Sequence, residues 1–111
     1  MAGGKIMIFG GSGHKAYLGC LSCSEYDSNS VFNQYGKYGS EYSTNSIFNE
    51  YGQYGGEYAS YSPCNEYSTT PPVVVDEDGN FYRYLTINKY MSNRISNENI
   101  INWLKYKVCK K

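Results

Sequence analysis

The apolar positions of this chain fall into short clusters near its two ends and leave the middle without a strand-like or helix-like period. Lys5–Phe9 (KIMIF) is broken by Gly10, Gly11, Ser12 and Gly13, and Lys15–Cys23 (KAYLGCLSC) follows. Two such runs around a glycine-rich break predict a pair of antiparallel strands. Val73–Val75 and Phe81–Ile87 (FYRYLTI) flank DEDGN, where Asp78-Gly79 predicts a hairpin over 73–87 with a type I′ turn. Ile100, Ile101, Leu104 and Val108 then recur at helical spacing, with Trp103 near their edge. Asn97 or Ser96 caps this helix, expected over 97–109, and Lys105, Lys107, Lys110 and Lys111 suit its C-terminus.

The middle is a repeat. SEYDSNSVFNQYGKYG (24–39), SEYSTNSIFNEYGQYG (40–55) and GEYASYSPCNEYSTTP (56–71) are three copies of a 16-residue unit, the first two matching at 11 of 16 positions. A fixed period means one structural unit whose equivalent residues stack in columns. Ser30 and Ser46 are placed to cap one helical turn, which Gly36 and Gly52 would end in the left-handed conformation. We therefore expect a brief helical turn plus a loop or short strand in each unit. A β-solenoid coil with Asn33, Asn49 and Asn65 stacked as a ladder is the alternative. The fold class is α+β: a small single domain, 1–111, with two β-hairpins sharing a sheet, the three Tyr/Gly repeats beside it and a C-terminal helix over one face.

Composition changes this picture in one respect. Mean hydropathy is −0.59, but 17% of the residues are aromatic and 14 are Tyr. Rings supply the burial that scarce aliphatics do not, so an ordered chain with a tyrosine-rich core is expected. Charge sums to zero unevenly: residues 25–78 carry nine acids and one base, residues 79–111 seven bases and one acid. The two parts attract each other, or the basic end meets an anionic partner. An acidic repeat body argues against non-specific DNA binding, and no specific nucleic-acid partner is expected. No segment approaches the roughly 20 apolar residues of a membrane span. Lys5 precedes too short an apolar run for a signal peptide, so the chain reads as cytoplasmic, or as exported if a leader was removed before this numbering.

Four cysteines carry the remaining chemistry. Cys20 and Cys23 form C-x-x-C, and with His14 and Cys109 they could supply four tetrahedral zinc ligands. A redox motif, a disulfide from the N-terminal hairpin to Cys109, and buried free thiols compete with that reading. Cys64 occupies the slot of Phe32 and Phe48 and is expected in the core. A Cys–His nucleophile pair lacks an orienting third group. The GGSG loop lacks the ending of a P-loop and reads as a hairpin loop. Asp76, Asp78 and Asn80 lack the glycine and glutamate spacing of an EF-hand and read as a turn.

The tyrosine columns are Tyr26/Tyr42/Tyr58, Tyr35/Tyr51/Tyr67 and Tyr38/Tyr54. Packing inside the core is one use. Rows of exposed rings would instead form a stacking platform for sugars or bases. The candidate ligand-binding set is Tyr35, Tyr38, Tyr51 and Tyr54 with the amides of Asn33 and Asn49. The Glu25/Glu41/Glu57 column reads as a solvated edge.

YLGCLSC, the tandem S-[VI]-F-N-x-Y-G-x-Y-G units and PPVVVDEDGNFY, in that order over about residues 5–90, resemble a family of small bacterial proteins and domains. The resemblance implies no particular activity and carries no functional residue over. Exported members would imply disulfides. The expected function is a non-enzymatic module holding a nucleotide- or sugar-like ligand, or a protein partner, on the tyrosine-rich repeats. The alternatives are a zinc- or disulfide-stapled interaction protein, a Cys-dependent enzyme, and a phage or mobile-element accessory protein sequestering a nucleotide signal.

Overall fold

The computed structural model describes residues 5–109; Lys110 and Lys111, assigned above to the basic helix end, lie outside them. Strands β1 (Ile6–Gly10), β2 (Ala16–Cys20), β3 (Val73–Asp76) and β4 (Phe81–Tyr84) form one antiparallel sheet in the order β2-β1-β3-β4. The two expected hairpins therefore do share a sheet, joined through β1 and β3 with Ile8 opposite Val74. A bulge in β2 leaves Leu18 between the paired residues Tyr17 and Gly19. It lets Leu18, Gly19 and Cys20 all be buried where strict alternation would turn one of them outward. Gly19 is required here: its φ is +125°, and a Cβ would run into Val31 and Tyr38.

The β3–β4 turn is built differently from the expected type I′ form. Gly79 alone has positive φ; Asp78 does not. The Asp76 carboxylate accepts from the backbone N–H groups of Asp78 and Asn80, both at 2.9 Å, while Gly79 N–H closes on the Asp76 carbonyl at 3.1 Å. This is a three-residue loop with a left-handed glycine at its end, stabilised by an Asx turn. The D-x-D-x-N string is thus a turn.

Residues 24–71 contain neither a helix nor a strand, beyond a single bridge between Cys20 and Ser30. Both expected forms of the repeat, a helical turn and a β-solenoid, are replaced by tight turns in series. Backbone bonds run from Asp27 to Ser24, Ser30 to Asp27, Asn33 to Ser30, Gly36 to Asn33 and Ser40 to Gly36, and the pattern begins again at Ser40. Four steps of three residues and one of four make the 16-residue period. The residue at each corner explains the geometry. Its short side chain accepts from the N–H two residues on: Ser30 Oγ from Phe32 at 3.0 Å, Asn33 Oδ1 from Tyr35 at 3.0 Å, Ser46 Oγ from Phe48 at 3.0 Å. Local bonds of this kind compete successfully with a helix that is too short to nucleate. Gly36 and Gly52 are corners without the expected left-handed backbone. Gly39 and Gly55 matter for another reason: a Cβ there would overlap the carbonyl oxygens of Asn33 and Asn49.

The ribbon turns one edge inward. Ser30, Ser46 and Ser62 are buried, as are Val31, Ile47 and Pro63 beside them. Val31 and Ile47 join Ile8, Leu18, Val74, Leu85, Ile95, Leu104 and Val108 in one cluster. The core is therefore mainly aliphatic, with Tyr54 the one buried tyrosine among the described residues and Tyr61 packed against it, and not tyrosine-rich as composition suggested. Each such Ile or Leu contributes about 1.5–3 kcal/mol by leaving water.

Helix α1 (Glu98–Trp103) is capped by Asn97, whose Oδ1 accepts from Asn99 and Ile100 at 2.9 and 3.3 Å. It continues as a π-helical turn over Leu104–Val108, closed by Cys109 N–H on the Leu104 carbonyl at 2.8 Å. This end docks on one column of the ribbon. Trp103 meets the rings of Phe32 and Phe48 at 5.2 and 6.0 Å between centroids, and Cys109 is disulfide-bonded to Cys64, the third residue of that column. Cys64 is buried as expected, but as half of a bridge. The second disulfide joins Cys20 to Cys23. No helix among the described residues is long and apolar enough to cross a membrane.

Candidate functional site

The turn ribbon sorts its tyrosines by position in the unit. Tyr26, Tyr42 and Tyr58 form one outward column and Tyr35, Tyr51 and Tyr67 another, all between 75 and 92% exposed. Their backbone is held firmly even though the rings stand in water. The N–H of Tyr26 is bonded to Ser24 Oγ at 3.1 Å, that of Tyr42 to Ser40 Oγ at 3.1 Å, and those of Tyr51 and Tyr67 to Asn49 and Asn65 Oδ1 at 3.0 Å. These rings stand in water on hydrogen-bonded turns and are not part of the buried core.

The first two units and the helix enclose an open groove of about 820 Å³. Phe32, Phe48 and Trp103 give it a continuous aromatic wall, and the exposed rings of Tyr35 and Tyr42 stand at its margin. Its polar groups are Gln34, Ser40, Glu41 and Lys107, so one acid and one base balance each other. The groove exists because two repeats place Phe at equivalent positions, two residues after the Ser30 and Ser46 corners, and Trp103 spans the pair.

The six residues expected to bind ligand do not come together. Tyr35 lines the groove, and Tyr51 lies in the same exposed column one unit on. Tyr38 faces the sheet, edge-on to Tyr17 at 4.9 Å, and Tyr54 is buried with its ring against Gly11. Burial, then the neighbouring Tyr38 and Asp27, raises the Tyr17 phenol above its usual range. Asn33 and Asn49 are spent on the turns themselves. Their Nδ2 groups donate to the Asp27 and Ser43 carbonyls at 3.3 and 3.1 Å, while their Oδ1 atoms hold the N–H of Tyr35 and Tyr51.

The zinc set is also dispersed. Cys20 is bonded to Cys23 and Cys109 to Cys64, so no thiolate is left to ligate a metal or attack a substrate. The expected bridge from the N-terminal hairpin to Cys109 is replaced by one from the third repeat. His14 Nε2–H donates to the Pro71 carbonyl at 3.2 Å. Among the described residues no group of three or more His, Cys, Asp or Glu is arranged to hold a metal ion.

Phe32, Phe48, Tyr42, Trp103 and Lys107 escaped the sequence reading as site residues. One signal was available: Phe32, Phe48 and Cys64 occupy one slot, and a cysteine replacing phenylalanine marks a column that something else must cover. Comparison with protein-family models, with curated proteins and with solved structures finds no match to this chain.

Proposed function

We propose that this protein is a non-enzymatic module that binds a neutral carbohydrate chain along its tyrosine ribbon, anchored in the Phe32–Phe48–Trp103 groove. The carrying observation is the groove's chemistry: five rings with balanced charge. Stacking on aromatic faces suits the C–H faces of a pyranose, and the amide, hydroxyl, carboxylate and ammonium groups beside the rings suit its hydroxyls. A phosphate-bearing ligand would want a surplus of base, which this groove lacks. The two exposed columns repeat with the ribbon, so they favour a ligand that itself repeats. The two disulfides support an oxidising, exported setting over a cytoplasmic one.

The chain's single tryptophan lies in the groove, so its fluorescence reads occupancy directly. Titration with neutral oligosaccharides should shift or quench Trp103 emission saturably. Tyr35→Ala with Tyr42→Ala should abolish that change and leave the melting temperature within about 2 °C, since exposed rings contribute little to the fold. No spectral or calorimetric response across oligosaccharides of several linkage types would refute the reading.

A further inference from the structure

A second groove, on the opposite side of the helix, has different chemistry. It measures about 460 Å³ and is lined by Tyr67 and Tyr90, by Lys89, Arg94 and Lys105, by Ile87 and Ile101, and by Glu66. Ile101 and Lys105 lie four residues apart on one side of the helix, while Trp103 and Lys107 line the first groove. The helix is therefore the wall between the two. Three bases and one acid leave this groove with a net charge of 3 − 1 = +2, in a molecule whose residues 25–78 carry nine acids and one base.

Several separate features bring these groups together. Tyr67 is set by Asn65, and Tyr90 by Asn88, whose Oδ1 accepts from the Tyr90 N–H at 3.0 Å. Asn88 is buried, and its Nδ2 donates to the Ser68 carbonyl at 2.9 Å. One amide thus ties the turn carrying Tyr90 to the residue after Tyr67, so the backbones that carry these two exposed rings are joined. Arg94 is brought in by the left-handed backbone of Asn93, φ 60°, and by the bridge that pairs Arg94 with Tyr84. Lys105 comes from the π-helical turn. Lys89 and Arg94 come from the connection between β4 and the helix and Lys105 from the π-helical turn, and all three line one concavity.

We infer that this groove binds a phosphomonoester carried on a ring, with the phosphate among Lys89, Arg94 and Lys105 and the ring against Tyr67 or Tyr90. A phosphomonoester carries about −1.5 to −2 charges at neutral pH, which matches the surplus. Guanidinium and ammonium groups are the side chains that hold phosphate, and a tyrosine face stacks on either a nucleobase or a sugar ring. This inference rests on the second groove alone and stands apart from the carbohydrate reading of the first.

The test is isothermal titration of the oxidised full-length protein at low salt with adenosine monophosphate, glucose 1-phosphate, their unphosphorylated parents and inorganic phosphate. At least one ring phosphate should bind tenfold or more tighter than both its parent and inorganic phosphate. Tighter binding of the adenosine compound identifies a base on the tyrosines, tighter binding of the sugar phosphate a pyranose; either sustains the proposal. Lys89→Gln with Lys105→Gln, both exposed, should lower affinity at least tenfold, and raised salt should weaken it. Tyr35→Ala should change nothing, which separates this site from the first groove. Three results would overturn the inference: no binding at millimolar concentrations, inorganic phosphate matching the ring phosphates, or affinity unmoved in the double-Gln variant and in Arg94→Gln.

Discussion

Removing the Cys64–Cys109 disulfide should cost far more than removing Cys20–Cys23, and the structure says by how much. The two bridges close very different loops, with sequence separations of 45 and 3. In the chain-entropy description, the loss is about 2.1 + 1.5R ln n cal/mol/K, which at room temperature gives about 4.0 kcal/mol for the long loop and about 1.6 kcal/mol for the short one. Unfolding entropy is about 2.1 cal/mol/K per residue, so a chain of 111 residues converts these into drops of about 17 °C and about 7 °C in melting temperature. The variants are Cys64→Ala with Cys109→Ala, and Cys20→Ala with Cys23→Ala. Alanine avoids burying a hydroxyl where Cys64 now sits. Calorimetric melting of both pairs beside the parent is the assay. The long bridge also holds the helix end on the ribbon, so Trp103 emission should redden in the first variant only. Equal shifts, or a larger one for the Cys20/Cys23 pair, would refute the reasoning that the long bridge is the fold's main staple.

Four further outcomes follow from named contacts. Gly55→Ala should destabilise by about 1–3 kcal/mol in urea unfolding, because its Cβ would overlap the Asn49 carbonyl, whereas Gly52→Ala, whose nearest neighbour is the Asn49 amide at 3.3 Å, should cost less. Asn88→Ala should cost about 1–3 kcal/mol by stranding the buried Ser68 carbonyl and the Tyr90 N–H, read by the same unfolding curve. Hydrogen bonds from Asn80, first its side chain and then its backbone, hold the Asp76 carboxyl below the usual carboxylate range. A depressed folded-state pKa means that its contribution is present above the unfolded pKa and lost as pH falls through the folded one, so the gap in melting temperature between the parent and Asp76→Asn should close in acid. An NMR titration of the Asp76 side chain should give a midpoint below that of a model peptide.

The strands and the helix were legible because their signals are local. KIMIF and KAYLGC carry apolar runs around a glycine break, and Asn97 precedes a helical spacing of Ile100, Ile101, Leu104 and Val108. The 16-residue period is legible too, but its finer grain lies outside the helix and strand periods. Ser24, Asp27, Ser30, Asn33 and Gly36 mark a step of three, and each of these residues except Gly36 carries a side-chain acceptor suited to a tight turn. A test for helix or strand periodicity passes over that step, because three residues match neither 3.6 nor 2. The tyrosine-rich core was misjudged for the same reason. Which side of a turn ribbon faces inward depends on what packs against it, and composition does not report it.

The sequence by itself determined the repeat, the two hairpins, the capped helix and the α+β class. Each rests on hydrogen bonds or apolar spacings spanning a few residues, so the physics acts between neighbours. The tertiary structure decided the rest. Cys64 meets Cys109 only because the Phe32–Phe48–Cys64 column and the π-helical end of the helix come into register across the core. That pairing took Cys109 out of the candidate zinc set, as the local Cys20–Cys23 bridge took the other two cysteines, and the same packing turned six ribbon tyrosines to water, placed Trp103 over two phenylalanines, and brought Lys105 to the groove that Lys89 and Arg94 line. Such outcomes depend on which surfaces are buried against each other, and burial is a property of the closed chain.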